Sequence, residues 1–215
     1  MRWVKYKQVI ENFFSLSILN ALNVLLPLVT LPYMLHVVGK ANYGAYSYVY
    51  AVVQYVILFS TYGFNFSATK QISQCRDDKE KVSKIYNAVT ASKTLIALSL
   101  SVLLLLCAKL VFKDGVGTLM FVYGLGMVIG DVLTPIWLFQ GMEKMKYMTI
   151  VNASSKILFT ILIFIVVRAS EDYQLLILLN SCGYLLAGLL SLILVCRQFH
   201  LRLHWATWSD IRMQL

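Results

Sequence analysis

Charge is scarce in this chain: Asp, Glu, Lys and Arg make up 13% of its 215 residues, where a soluble protein carries roughly a quarter. Hydrophobic residues reach 59% and the mean hydropathy is +0.71, which excludes a water-soluble domain. Three prolines and four cysteines are too few for a disordered segment or a disulfide scaffold. There is no C-x-x-C pair, no G-x-S-x-G, no P-loop and no His-rich helix. Hydrolytic or ATP-driven chemistry therefore has no residues to carry it, and the expectation is a non-enzyme without metal or cofactor. A cleaved leader is not expected either, because the first apolar run is too long for a signal-peptide core and lacks an A-x-A site.

What the chain has in abundance is long apolar runs. A bilayer core about 30 Å thick takes roughly 20 apolar residues per helix. Six runs qualify, at about 13–38, 43–68, 85–112, 118–139, 148–167 and 174–196. The predicted fold is all-α, a polytopic membrane bundle occupying residues 1–196. The longest connection is the polar stretch from Thr69 to Lys84, read as a loop whose Asp77, Asp78 and Glu80 are solvated among lysines. Residues 197–215 form a tail in which Leu201, Trp205, Trp208 and Leu215 recur at helical spacing, as in a helix lying along the headgroups. His200 and His204 in that tail lack a third ligand, so they read as interfacial side chains.

Basic residues give orientation, since Lys and Arg of short loops collect on the cytoplasmic side. Thirteen lie at the N-terminus, in the second and fourth loops and in the tail, among them Lys70, Arg76, Lys79, Lys81, Lys84 and Lys144. Only Lys40, Lys113 and Arg168 lie opposite, so both termini are expected in the cytoplasm. The same asymmetry accounts for the net charge of +9, which fits membrane lipid headgroups rather than nucleic acid.

Charges inside the apolar runs carry the most information, because an ionisable group in hydrocarbon faces a partner or a watery cavity. Lys93, Asp131 and Lys156 are such groups. Each lies eight or so residues from the expected cytoplasmic end of its run, a depth of about 12 Å. Asn20 and Asn23 on span one and Asn152 on span five fall near the same level, making these six residues the candidate lining of a cavity. Two readings stand for Lys93, a stem snorkelling to the headgroups or a partner inside the bundle. Asp131 is too short to snorkel and is expected to meet Lys93 or Lys156, either across a cavity or as a tie between helices.

Pro27, Pro32 and Pro135 each remove a backbone donor within a span. Gly126 with Gly130, and Gly183 with Ala187, are small-xxx-small pairs that predict close helix packing. Tyr43, Tyr46 and Tyr50 share one helical face, either an aromatic belt at the outer interface or a wall of stacking surfaces; Tyr43 is assigned to the belt and Tyr50 is left open.

Two stretches carry a resemblance. LPYMLHVVGKANYGAYSYVY, beginning at Leu31, and PIWLFQGMEKMKYMTIVN, beginning at Pro135, resemble signatures of bacterial polysaccharide repeat-unit flippases of the Wzx O-antigen type. The matching positions are Pro32, Tyr33, Gly39, Tyr43 and Gly44, then Trp137, Phe139, Gln140, Gly141, Glu143 and Lys144. His36 stands where such proteins carry Arg, and Lys70-Gln71 where many carry Arg-Glu. The resemblance implies the N-terminal half of a two-lobed transporter of the MOP and MATE-like type. It further implies translocation of undecaprenyl-pyrophosphate-linked oligosaccharide across the bacterial inner membrane by alternating access, in the service of lipopolysaccharide and O-antigen biosynthesis. Its partners would then be lipids, a second lobe and polysaccharide assembly proteins. By the same resemblance the second lobe is missing, which makes the chain a fragment, a truncated product or one lobe needing another. A multidrug antiporter of the same superfamily and an inert remnant are the alternatives.

Overall fold

Without water, every backbone amide in a spanning segment must be satisfied internally, and helices do this. The computed structural model describes residues 2–61, 63–112 and 116–199, which form eight α-helices and one 3₁₀ turn and no strand. In chain order these are α1 (Arg2–Val37), α2 (Lys40–Thr61), α3 (Phe64–Gln74), α4 (Lys79–Val111), α5 (Val116–Leu133), α6 (Ile136–Gly141), α7 (Met145–Val166) and α8 (Tyr173–Gln198). Six segments among the described residues are long and apolar enough to cross a membrane, with α2–α3 and α5–α6 each making one broken segment. The chain is an all-α polytopic membrane bundle. The amphipathic reading of the tail beyond Phe199, with His200 and His204, lies outside the described residues.

The breaks follow from single residues. Gly39 joins α1 to α2 at φ +81° and Gly63 separates α2 from α3 at φ +77°, left-handed positions that favour glycine. Pro135 lacks the N–H that would continue α5, so α6 starts anew. Pro27 and Pro32, by contrast, sit inside an unbroken α1.

The polar stretch 69–84 differs from its reading as a loop. Helix α3 runs to Gln74 and α4 begins at Lys79, leaving only Cys75–Asp78 between them. Buried Phe64, Ala68 and Ile72 recur every four residues on α3, and Val82, Tyr86 and Val89 face them from α4. Lys70, Ser73, Lys79, Glu80, Lys81 and Lys84 are exposed on the outer sides of these helices, while Ser83 is buried. Asp78 caps α4 by accepting from the Lys81 N–H at 3.1 Å, a bond that holds its carboxyl below the usual carboxylate range.

Two apolar clusters fill the bundle. One lies toward the Gly39 end and includes Val49, Val53, Phe121, Met127 and Ile163. The other gathers Phe64, Ile72 and Tyr86 around Trp137 and Phe139 of α6. Helix α5 packs closely on α8: a Cβ on Gly126 would lie 2.8 Å from Ser181 Cβ, and one on Gly130 would strike the Tyr184 backbone. On the other side, α1 packs chiefly along α7 and leaves Phe13, Phe14, Val24, Leu25 and Leu28 exposed.

This seam gives a direct test. Gly130→Leu should lower thermal stability in detergent by about 1–3 kcal/mol or prevent a monodisperse bundle. Gly44→Ala, with open space around it, should do neither.

Candidate functional site

Because α5 and α8 are clamped together while α1 touches mainly α7, a gap opens between them. It is a cavity of about 400 Å³ lined from α1, α2, α5, α7 and α8. Helix α1 contributes Asn23, Pro27, Thr30 and Met34, and α7 contributes Asn152, Ser155, Lys156 and Phe159. Tyr43, Tyr46 and Tyr50 line it from α2, Asn180 and Tyr184 from α8, and Asp131 and Thr134 from the broken end of α5.

At the back of the cavity Lys93 is 4% exposed. Its Nζ lies 2.7 Å from Asp131 Oδ2 and donates to the Asp131 carbonyl at 2.9 Å. That carbonyl sits four residues before Pro135, which has no N–H to offer it. The ammonium thus supplies the missing donor, assisted by the Thr134 N–H at 3.2 Å, and places positive charge at the carbonyl end of α5. Lys93 does not snorkel.

The front of the cavity repeats the arrangement. Pro27 stands four residues after Asn23, and the Lys156 ammonium donates to Asn23 Oδ1. Lys156 is therefore partnered by an amide, and no carboxylate lies within ion-pair distance among the described residues. Asn152, one turn earlier on α7, donates to the Met148 carbonyl at 2.9 Å and lines the same space.

Of the six candidate lining residues, the structure brings Asn23, Asp131, Asn152 and Lys156 to the cavity. Lys93 stands behind Asp131. Asn20 is exposed on α1 and is not among the residues that line the cavity. Tyr43 lines the cavity rather than forming a belt, its ring tilted against that of Tyr46 at 5.7 Å, with Tyr46 tilted against Tyr50 at 5.9 Å. Sequence reading missed Asn180, Tyr184 and Gln54. Asn180 donates to the Tyr46 hydroxyl at 2.6 Å and Gln54 to the Tyr184 hydroxyl at 3.0 Å. The signal was present, since Asn180 and Tyr184 are polar positions one turn apart inside an apolar run.

None of the family-signature residues lines the cavity except Tyr43; they build joints. Tyr33, beside Pro32 in α1, donates its hydroxyl to the Val167 carbonyl at 2.8 Å. Gly39 makes the α1–α2 turn, and a Cβ on Gly44 would meet nothing within 4 Å. Trp137 is buried 5.8 Å from Tyr86, Thr69 Oγ1 lies 3.4 Å from Gln140 Oε1, and Gly141 lets Ile72 approach. Glu143 turns the chain with φ +54°, pairs with Arg76 at 2.6 Å and offers its carbonyl to Asn12.

These walls offer ring faces, amides, hydroxyls and one uncompensated cation. Among the described residues no cluster of three His, Cys, Asp or Glu could hold a metal.

Residues 9–215 match the family described as polysaccharide biosynthesis protein, and the chain belongs to it. It is a multi-pass membrane protein. Two proteins named "Putative O-antigen transporter" are similar to it: one from Escherichia coli K12, 33% identical over 188 residues, and one from Shigella dysenteriae, 28% identical over 186. The alignments cover 87% and 86% of this chain but 45% and 46% of those proteins, so the chain spans about half the length of the curated relatives it matches. No solved structure matches significantly.

Lys93→Met leaves the Asp131 carboxylate buried without its ion partner and should destabilise the bundle by about 3–5 kcal/mol. Lys93→Met combined with Asp131→Asn should recover most of that loss in thermal unfolding. Equal stability of the single variant and the wild type would remove the ion pair from its structural role.

Proposed function

We propose that this chain is one six-helix lobe of a transporter that moves polysaccharide repeat units, carried on undecaprenyl pyrophosphate, across the bacterial inner membrane. The observation that carries the reading is the composition of the cavity: a row of tyrosine rings and amides beside Lys156, a cation with no carboxylate partner among the described residues. Sugars offer C–H faces to aromatic rings and hydroxyls to amides, and a diphosphate offers negative charge to the lysine. At about 4 Å that attraction is worth roughly 1 kcal/mol in water and about 4 kcal/mol at a protein-surface dielectric. Such a range suits a site that must release what it binds. Family membership and the names of the two relatives support the same reading.

The antiporter alternative is not favoured. A cation exporter needs an available carboxylate, and the cavity's Asp131 is neutralised by Lys93. Both chain ends are assigned to the cytoplasm on the strength of the thirteen basic residues gathered there.

Lys156→Gln in the full gene should reduce O-antigen display about tenfold or more in a strain lacking its own transporter, while Asn20→Ala should leave it intact. Full display with Lys156→Gln would reject the cavity as the route. For orientation, a cysteine-free chain carrying Glu171→Cys should react with an impermeant maleimide in intact cells, and one carrying Glu80→Cys only after permeabilisation. The reverse pattern would invert the topology.

A further inference from the structure

At about 400 Å³ the cavity falls at the small end of ligand sites, which run to about 1,000 Å³. It has room for the sugar nearest a diphosphate rather than for a whole repeat unit. Its ionisable inventory is short. Among the described residues that line it, only Asp131 and Lys156 carry charge at neutral pH, and Lys93 neutralises Asp131 at 2.7 Å. One positive charge is left over, and a diphosphate takes it up.

The rest of the wall is neutral. Thr30, Thr134 and Ser155 donate to carbonyls of their own helices at 3.1, 2.8 and 3.2 Å, so their hydroxyl protons are spent. Ser47 and Thr160 are half-buried lining residues of α2 and α7 whose hydroxyls have no partner among the described residues. With the Asn180 amide, which reaches the Tyr46 hydroxyl at 2.6 Å, they are groups that bind sugar hydroxyls. The rings of Tyr43, Tyr46 and Tyr50 follow one another along α2 and add apolar faces. A further carboxylate, such as that of a uronic acid, would enter this space with no cation to meet it. Unpaired charge in a confined site is costly, whereas a hydroxyl or amide in the same place finds partners.

We propose that the sugar seated by this lobe beside the diphosphate is uncharged, a neutral hexose or N-acetylhexosamine, and that the cavity discriminates against uronic acids there. The inference rests on the cavity being the transport site. Thr160, one turn beyond Lys156 on α7, is the position where one added cation would relax the choice, because it lines the same space and its hydroxyl ties no helix to another among the described residues.

The test uses the full chain in nanodiscs of zwitterionic phosphatidylcholine and three probes, farnesyl diphosphate linked to glucose, to glucuronate and to glucuronamide, with binding read by titration calorimetry. The sugar ring is the same in all three and only the group at C6 changes. The glucose and glucuronamide probes should bind about tenfold or more tighter than the glucuronate probe. General attraction to a chain of net charge +9 would give the opposite order. T160K should narrow the gap to about threefold or less. The proposal is overturned if glucuronate binds wild type as well as glucose does, if the amide binds as poorly as the acid, or if T160K assembles as a monodisperse bundle and leaves the gap as it was. Should T160K fail to assemble, the order of the three probes on wild type decides. Failure of all three to bind, or equal binding of each to K156Q and wild type, removes instead the cavity as the transport site, and the proposal with it.

Discussion

Lys93 and Asp131 make an ion pair inside a segment that hydrocarbon surrounds, and much of the bundle depends on it. Neither charge is tolerable there alone. Together they tie α4 to α5 at the point where Pro135 interrupts the chain. The ammonium does two jobs with one group, neutralising the carboxylate and taking the place of the absent proline N–H toward the Asp131 carbonyl. Because the end of α5 is fixed, α6 leaves in a defined direction and seats Trp137 and Phe139 among Phe64, Ile72 and Tyr86. The lower core and the back wall of the cavity thus share one cause.

The front wall uses the same construction with a different charge balance. In both places an Asx residue is followed four positions later by proline, and a lysine from a neighbouring helix binds the Asx side chain. At Asp131 the result is neutral. At Asn23 it is cationic, since an amide carries no charge to cancel Lys156. Substituting one oxygen acid by its amide therefore decides which wall is electrically silent and which can attract an anion.

The six apolar segments were legible because hydrocarbon demands length and hydrophobicity, and both can be read residue by residue. The ends of spans two and three were less so. Average polarity over 69–84 reads as loop, yet Phe64, Ala68 and Ile72 form a stripe that only its four-residue spacing reveals. The polar level was readable as a set of depths along the chain. Which lysine meets Asp131 depends on the angle at which each helix presents its faces, and that is set by packing such as the Gly130 contact with α8. Tyr43 was misassigned for the same reason: depth fits a belt, but the face it shares with Tyr46 and Tyr50 points inward.

The residues that carry the family resemblance and the residues that line the cavity are almost disjoint, and this follows from what each must do. A joint such as Gly39, Gly141 or Glu143 admits few side chains, because a positive φ or a Cβ collision excludes most alternatives. A cavity wall only has to present some ring, amide or charge to its cargo, and many sequences meet that demand. Signatures at the joints therefore identify the fold and the family, whereas Tyr46, Asn152 and Asn180 belong to the cavity wall. There the packing of the helices, rather than any short motif, sets which groups face the cavity.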